Sequence, residues 1–120
     1  MDIRRAIPIV HSHDLDASKT FYVEFLGFEV AMEQQGFLML RSKSQPTTQV
    51  IVATEDAHDP QVRLANMSVE VNDVDFAYQR ARESGLEIIY GIADEPWGVR
   101  RFFVRDPNGA VINVAMHIPT

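Results

Sequence analysis

Cysteine is absent from all 120 residues, which excludes disulfides, thiol catalysis and cysteine-held metals. No apolar run approaches the length of a membrane span, and the opening Met1-Asp-Ile-Arg-Arg5 lacks a signal peptide's apolar core. Basic residues are sparse: 11 Lys and Arg stand against 17 Asp and Glu, a net charge of −6. Phosphate backbones need clustered cations, so nucleic acid is not an expected partner. The acidic balance would steer a cationic small molecule inward, although it equally well serves solubility. Tryptophan occurs once, at Trp97. What remains is 46% hydrophobic and 23% charged, the composition of one soluble domain, expected in the cytoplasm.

The chain contains an internal repeat. Ala6-Ile-Pro-Ile-Val-His-Ser-His-Asp14-Leu-Asp16 is matched by Ala65-Asn-Met-Ser-Val-Glu-Val-Asn-Asp73-Val-Asp75, at an offset of 59 residues. In each copy a strand runs into an acidic turn and then a helix, so equivalent positions can converge on one site. The first module spans about 3–53, a polar linker about 54–63 and the second module about 64–118.

In the first module, strand 3–12 leads to a helix over 16–26 with Asp14 or Asp16 as its N-cap. Phe21, Tyr22, Phe25 and Leu26 form the expected apolar face, and Gly27 the stop. Strands over 28–33, 37–41 and 49–53 follow. The second module repeats the plan: strand 64–71, a helix over 73–84 with Val74, Ala77, Tyr78 and Ala81 inward, then strands 87–90, 99–105 and 110–116. Asp106-Pro-Asn-Gly109 is a tight-turn signal. A regular hairpin there would pair Phe102 with Asn113, whereas a bulge would bring Phe103 to that place. The fold expected is α+β: two pseudo-symmetric β-α-β-β-β modules forming a curved mixed sheet around a shared cavity. Strand alternation sets Ile7, Ile9 and His11 on one face of the first strand, and Asn66, Ser68 and Glu70 on the cavity face of its repeat.

The stretch Glu95-Pro-Trp-Gly-Val-Arg-Arg-Phe-Phe-Val-Arg-Asp-Pro-Asn-Gly-Ala-Val-Ile-Asn-Val114 resembles the vicinal oxygen chelate superfamily of glyoxalases, extradiol dioxygenases and bleomycin-resistance proteins. Ser18, Phe21-Tyr22 and Leu26-Gly27-Phe28 resemble the same superfamily's first helix. Ala6-Ile-Pro-Ile-Val10 and Glu95-Pro-Trp-Gly98 are most similar to its bleomycin-resistance branch. That resemblance implies a homodimer, with an exchanged first strand as its device, that sequesters a small molecule unchanged. For catalytic members it implies a divalent metal held by His and Glu from four strands. The corresponding positions here are Ile7, Asn66, Asn113 and Ile51, or Gln49 in a register slipped by two. Isoleucine has no donor and an amide is a poor ligand for a transition metal, so no metal and no cofactor are expected. His11 and His13 share a strand face and could chelate, but their place at the strand's end beside Asp14 favours a solvated or capping role.

The expected ligand-binding residues are Trp97, Asn66, Asn113, Phe102, Arg100, Ile7, Glu70, Phe37 and Met39. Trp97 is either an aromatic wall for a planar ligand or a plug over the core. Of Arg100 and Arg101, one faces the cavity and the other is solvated or paired with Asp94 or Glu95. Asn66 and Asn113 bond a ligand, each other or a trapped water. Phe37 and Met39 line the pocket or simply fill the core. No catalytic residue is assigned. The expected function is metal-independent binding of a planar, possibly cationic, antibiotic-type molecule. An enzyme with a relocated metal, or with Glu70 as a general base, is the alternative.

Overall fold

A computed structural model describes residues 1–119. The element order is β1 (Ile3–His11), α1 (Leu15–Lys19), a π-helical turn (Thr20–Phe25), β2 (Glu29–Gln34), β3 (Phe37–Arg41) and β4 (Gln49–Ala53), then β5 (Met67–Val71), α2 (Val74–Glu83), β6 (Ile88–Glu95), β7 (Val99–Arg105) and β8 (Val111–His117). The chain is therefore α+β, with the β-α-β-β-β plan written twice. It divides into two compact units, Ile7–Leu64 and Met1–Ala6 with the chain from Ala65 onward, so the start of β1 belongs to the second unit.

Each unit has the same wiring. In the first, the order is β2-β3-β4-β1, with β1 parallel to β4 and the other neighbours antiparallel. In the second, the order is β6-β7-β8-β5 with β5 parallel to β8, and the first residues of β1 lie beside β5. A parallel pair needs a crossover, and the helix of each unit supplies it.

The helices start as expected and differ in their bodies. Asp14 accepts from Ala17 N–H at 3.0 Å and Asp73 from Phe76 N–H at 3.0 Å, so each caps its helix. In the second unit Val74, Ala77, Tyr78 and Ala81 pack against Val71 and Phe102, as the spacing requires. In the first unit, Leu15, Tyr22 and Val23 pack on Leu38, Leu40, Val50 and Val52. Phe21, Phe25 and Leu26 are instead exposed, which corrects the expected apolar face. The cause is one extra residue. Asp14 precedes Gly27 by 13 residues and Asp73 precedes Gly85 by 12. The surplus is taken up in the π turn, where Leu26 N–H reaches back five residues to Phe21 C=O at 3.2 Å.

The linker is less solvated than its composition suggests, since Ala57 and Val62 are buried. Gly36 explains part of this. With φ +67°, it lies so close to Ala57 and Thr54 that a Cβ would sit 2.6 Å from both. Thr54 N–H donates to Gly36 C=O at 2.9 Å, fixing the start of the linker against the β2–β3 turn.

Candidate functional site

In the second unit Val69, Phe102, Val104, Val114 and Met116 pack towards α2. Alternation sends Ser68, Glu70, Asn113, Ala115, Arg101 and Phe103 to the opposite face. There Ser68 is in register with Asn113, Asn113 with Phe103 and Tyr90 with Phe103. This face is polar, and it forms around two guanidinium–carboxylate pairs.

The first pair is buried. Arg101 Nη2 donates to Glu95 Oε2 at 2.6 Å, with side-chain exposures of 5% and 11%. The guanidinium lies 5.6 Å from the Tyr90 ring centroid and 5.1 Å from those of Trp97 and Phe103. Aromatic faces are negative, so three of them add to the stabilisation of this buried cation. Tyr90 donates its hydroxyl to Glu95 Oε1 at 3.0 Å. Burial, and then the bond to the Glu95 carboxylate, push the Tyr90 phenol above its ordinary pKa. The second pair is half-buried. Arg5 Nε meets Glu70 Oε2 at 2.6 Å, and His117 Nε2 lies 3.8 Å from the same oxygen.

Ala115 is in register with both Glu70 and Arg101, and two residues before it lies Asn113, whose Nδ2 donates to Ser68 Oγ at 2.7 Å. Its Oδ1 is buried without a hydrogen-bond partner among the described residues. Asn66 is otherwise engaged. Its Oδ1 accepts from Val111 N–H at 2.9 Å and its own N–H donates to Val111 C=O at 2.8 Å, so the side chain serves the backbone where β5 begins.

Two expected site residues are corrected. Phe102 does not pair with Asn113: its partner is Val114, and it is buried under α2 with its ring 5.0 Å from that of Tyr78. The reason is the turn. Asp106 N–H donates to Ala110 C=O, and Gly109 at φ +87° adds the bulged residue that pairs Arg105 with Val111. Arg100 likewise lies on the helix side, where it pairs with Asp75 at 2.9 Å and Asp94 at 2.8 Å. Direct hydrogen bonds to these two carboxylates raise its pKa further. Phe103 and Arg101 occupy the face in their stead.

The other expected residues divide between the units. Trp97 is 56% exposed on the turn joining β6 to β7, and Glu70 belongs to the same unit. Ile7, Phe37 and Met39 belong to the first unit, in which Ile7 is buried and Met39 is in register with Ile51. The sequence placed Ser68 on this face, left Arg101, Phe103 and Glu95 as open alternatives and did not point to Arg5, Tyr90 or His117. Alternation along β8 carried the signal for His117. The signal for Tyr90 was hidden by two register shifts in β6.

The positions implied to hold a metal do not fit one. Ile7 and Ile51 offer no donor atom, Asn66 gives its oxygen to the backbone, and the Asn113 amide bonds Ser68. Among the described residues, no group of three His, Asp or Glu side chains is placed to hold a metal ion. Nor is any helix of the described residues long and apolar enough to cross a membrane.

Residues 9–114 match the model of the Glyoxalase/Bleomycin resistance protein/Dioxygenase superfamily. No curated protein matches the chain. Among solved structures, a glyoxalase/bleomycin resistance protein/dioxygenase superfamily member from Vibrio splendidus 12B01 is similar at 22% identity, covering 96% of this chain and 99% of that one with a TM-score of 0.73. An uncharacterized protein from Methanosarcina mazei is 29% identical over 98% of this chain and 94% of its own, with a TM-score of 0.63. Methylmalonyl-CoA epimerase from Mycobacterium tuberculosis, at 20% identity, covers 98% of this chain and 88% of its own with a TM-score of 0.70. With its duplicated units and a model match over nearly its whole length, this chain belongs to the glyoxalase/bleomycin resistance protein/dioxygenase superfamily.

Proposed function

We propose that this chain binds and sequesters a planar, cationic small molecule of antibiotic type, without a metal, in the cytoplasm. The observation that carries this reading is the chemistry at the four metal positions. Two isoleucines and two engaged amides stand where a metal-dependent member needs imidazole or carboxylate. The polar face of the second unit supports a binding role. Trp97 offers an exposed ring to stack on a planar group, and Asn113 Oδ1 is an acceptor in want of a donor. Glu70 would serve a ligand's cation only in exchange for its pairing with Arg5.

Bleomycin is the first probe, titrated by calorimetry and by emission from Trp97, the single tryptophan. Trp97→Ala should weaken binding by about 2 kcal/mol if the ring is an anchor. Unchanged affinity removes Trp97 from the site. Stoichiometric Ni, Zn, Mn or Fe in the purified protein would overturn the metal-free reading. A homodimer belongs to the same proposal, with an exchanged first strand as its device. The exposed Phe21, Phe25 and Leu26 of the first unit are a patch that association would cover. Sedimentation velocity tests it.

A second reading, an enzyme with a general base, draws support from Glu70 and the imidazole 3.8 Å from its carboxylate. Its mark would be deuterium wash-in at a carbon next to a carbonyl, lost in Glu70→Gln.

A further inference from the structure

The helix side of the second unit contains a gap that the polar face does not use. Val69, Val71 and Phe102 of the sheet, Ala77 and Ala81 of α2, and Met1, Ile3 and Leu86 line an apolar cavity of about 260 Å³ that is widely open to solvent. Its floor is core, for Val71 and Phe102 are each 1% exposed, whereas Met1, Ile3 and Leu86 are exposed apolar side chains. The two alanines make the space. At the 59-residue offset Ala81 corresponds to Tyr22, and in the first unit that tyrosine packs on Leu38 and its neighbours.

The rim has one charge. Arg80 borders the cavity, and its guanidinium lies 5.8 Å from the Phe76 ring centroid, with no carboxylate paired to it among the described residues. The backbone carbonyls nearest that end of α2 are capped: Ser84 N–H donates to Arg80 C=O and Leu86 N–H to Ala81 C=O. The opening therefore presents a cation beside an apolar surface. We infer that this cavity, bounded by α2 and the sheet of the second unit, binds an aliphatic monocarboxylate, its tail against Val71 and Phe102 and its head group on Arg80.

The test uses the full chain, octanoate and 1-octanol, with amide chemical shifts as the readout. Octanoate should saturate shifts at Val71, Phe102 and Ala81, bind about tenfold more tightly than 1-octanol, and lose that advantage in Arg80→Gln. Arg80 is solvent-facing, so this variant keeps the fold. Trp97 emission should stay unchanged, which separates this site from the proposed ligand face. Absence of saturable shifts at those residues, or equal affinity for octanoate and 1-octanol, overturns the inference.

Discussion

The two units share one wiring diagram and differ in what they present on the face away from the helix. In the first unit that face is apolar, with Ile7, Ile9, Ile51 and Met39 on it and the three isoleucines buried. In the second it carries Ser68, Glu70, Asn113 and Arg101 with its aromatic neighbours. Duplication fixed the backbone and left the side chains free to diverge. An apolar face gains by excluding water, whereas the polar one persists because nearly every charge on it has a partner. The helices diverge in the opposite sense. The second is a regular helix on a core of alanines, and the first carries a π turn and large side chains.

That contrast can be broken most severely at the buried pair. Glu95→Leu removes a carboxylate from the buried Arg101 guanidinium and should cost about 3–5 kcal/mol in urea unfolding. A loss under about 1 kcal/mol would mean that the remaining contacts of the guanidinium suffice. The caps should behave alike in both units. Asp14→Ala and Asp73→Ala are each expected to cost about 1 kcal/mol, and unequal losses would show that the π turn weakens the helix it belongs to.

Removing one residue from Thr20–Phe25 would restore the 12-residue spacing of the second unit. The expected result is a regular α-helix with stability changed by less than about 1 kcal/mol, read by helical amide shifts and urea unfolding. The smallest effect is a pH dependence. Because the folded state holds the Tyr90 phenol above its ordinary pKa, its contribution is complete below pH about 10 and is lost as pH rises through the folded value. Tyr90→Phe should flatten that alkaline decline in thermal unfolding, and an unaltered decline would place its cause elsewhere.

Much of this was legible in the chain. Both helices and every strand but β6, which runs five residues past its expected end at Tyr90, were expected close to where they lie, because period-2 and period-3.6 patterns, Asp caps and glycine stops agree within each module. The face carrying Ser68 and Glu70 followed from alternation in β5 alone. One alternative stayed open and one feature escaped. A one-residue bulge at Gly109 moved Phe103, not Phe102, beside Asn113, and β7 exchanged faces with it. The extra residue in the first helix turned Phe21 and Phe25 outward, which helical spacing could not foresee.

The sequence by itself determined the duplication, the superfamily and the loss of metal donors at positions 7, 51, 66 and 113, since these depend only on residue identity and order. Only the tertiary structure decided that Arg101 pairs with Glu95 inside three aromatic rings, that Asn66 serves the backbone, and that a gap remains beside Ala77 and Ala81. Those outcomes depend on register and on side-chain volume across neighbouring elements, quantities set where strands pair and helices pack.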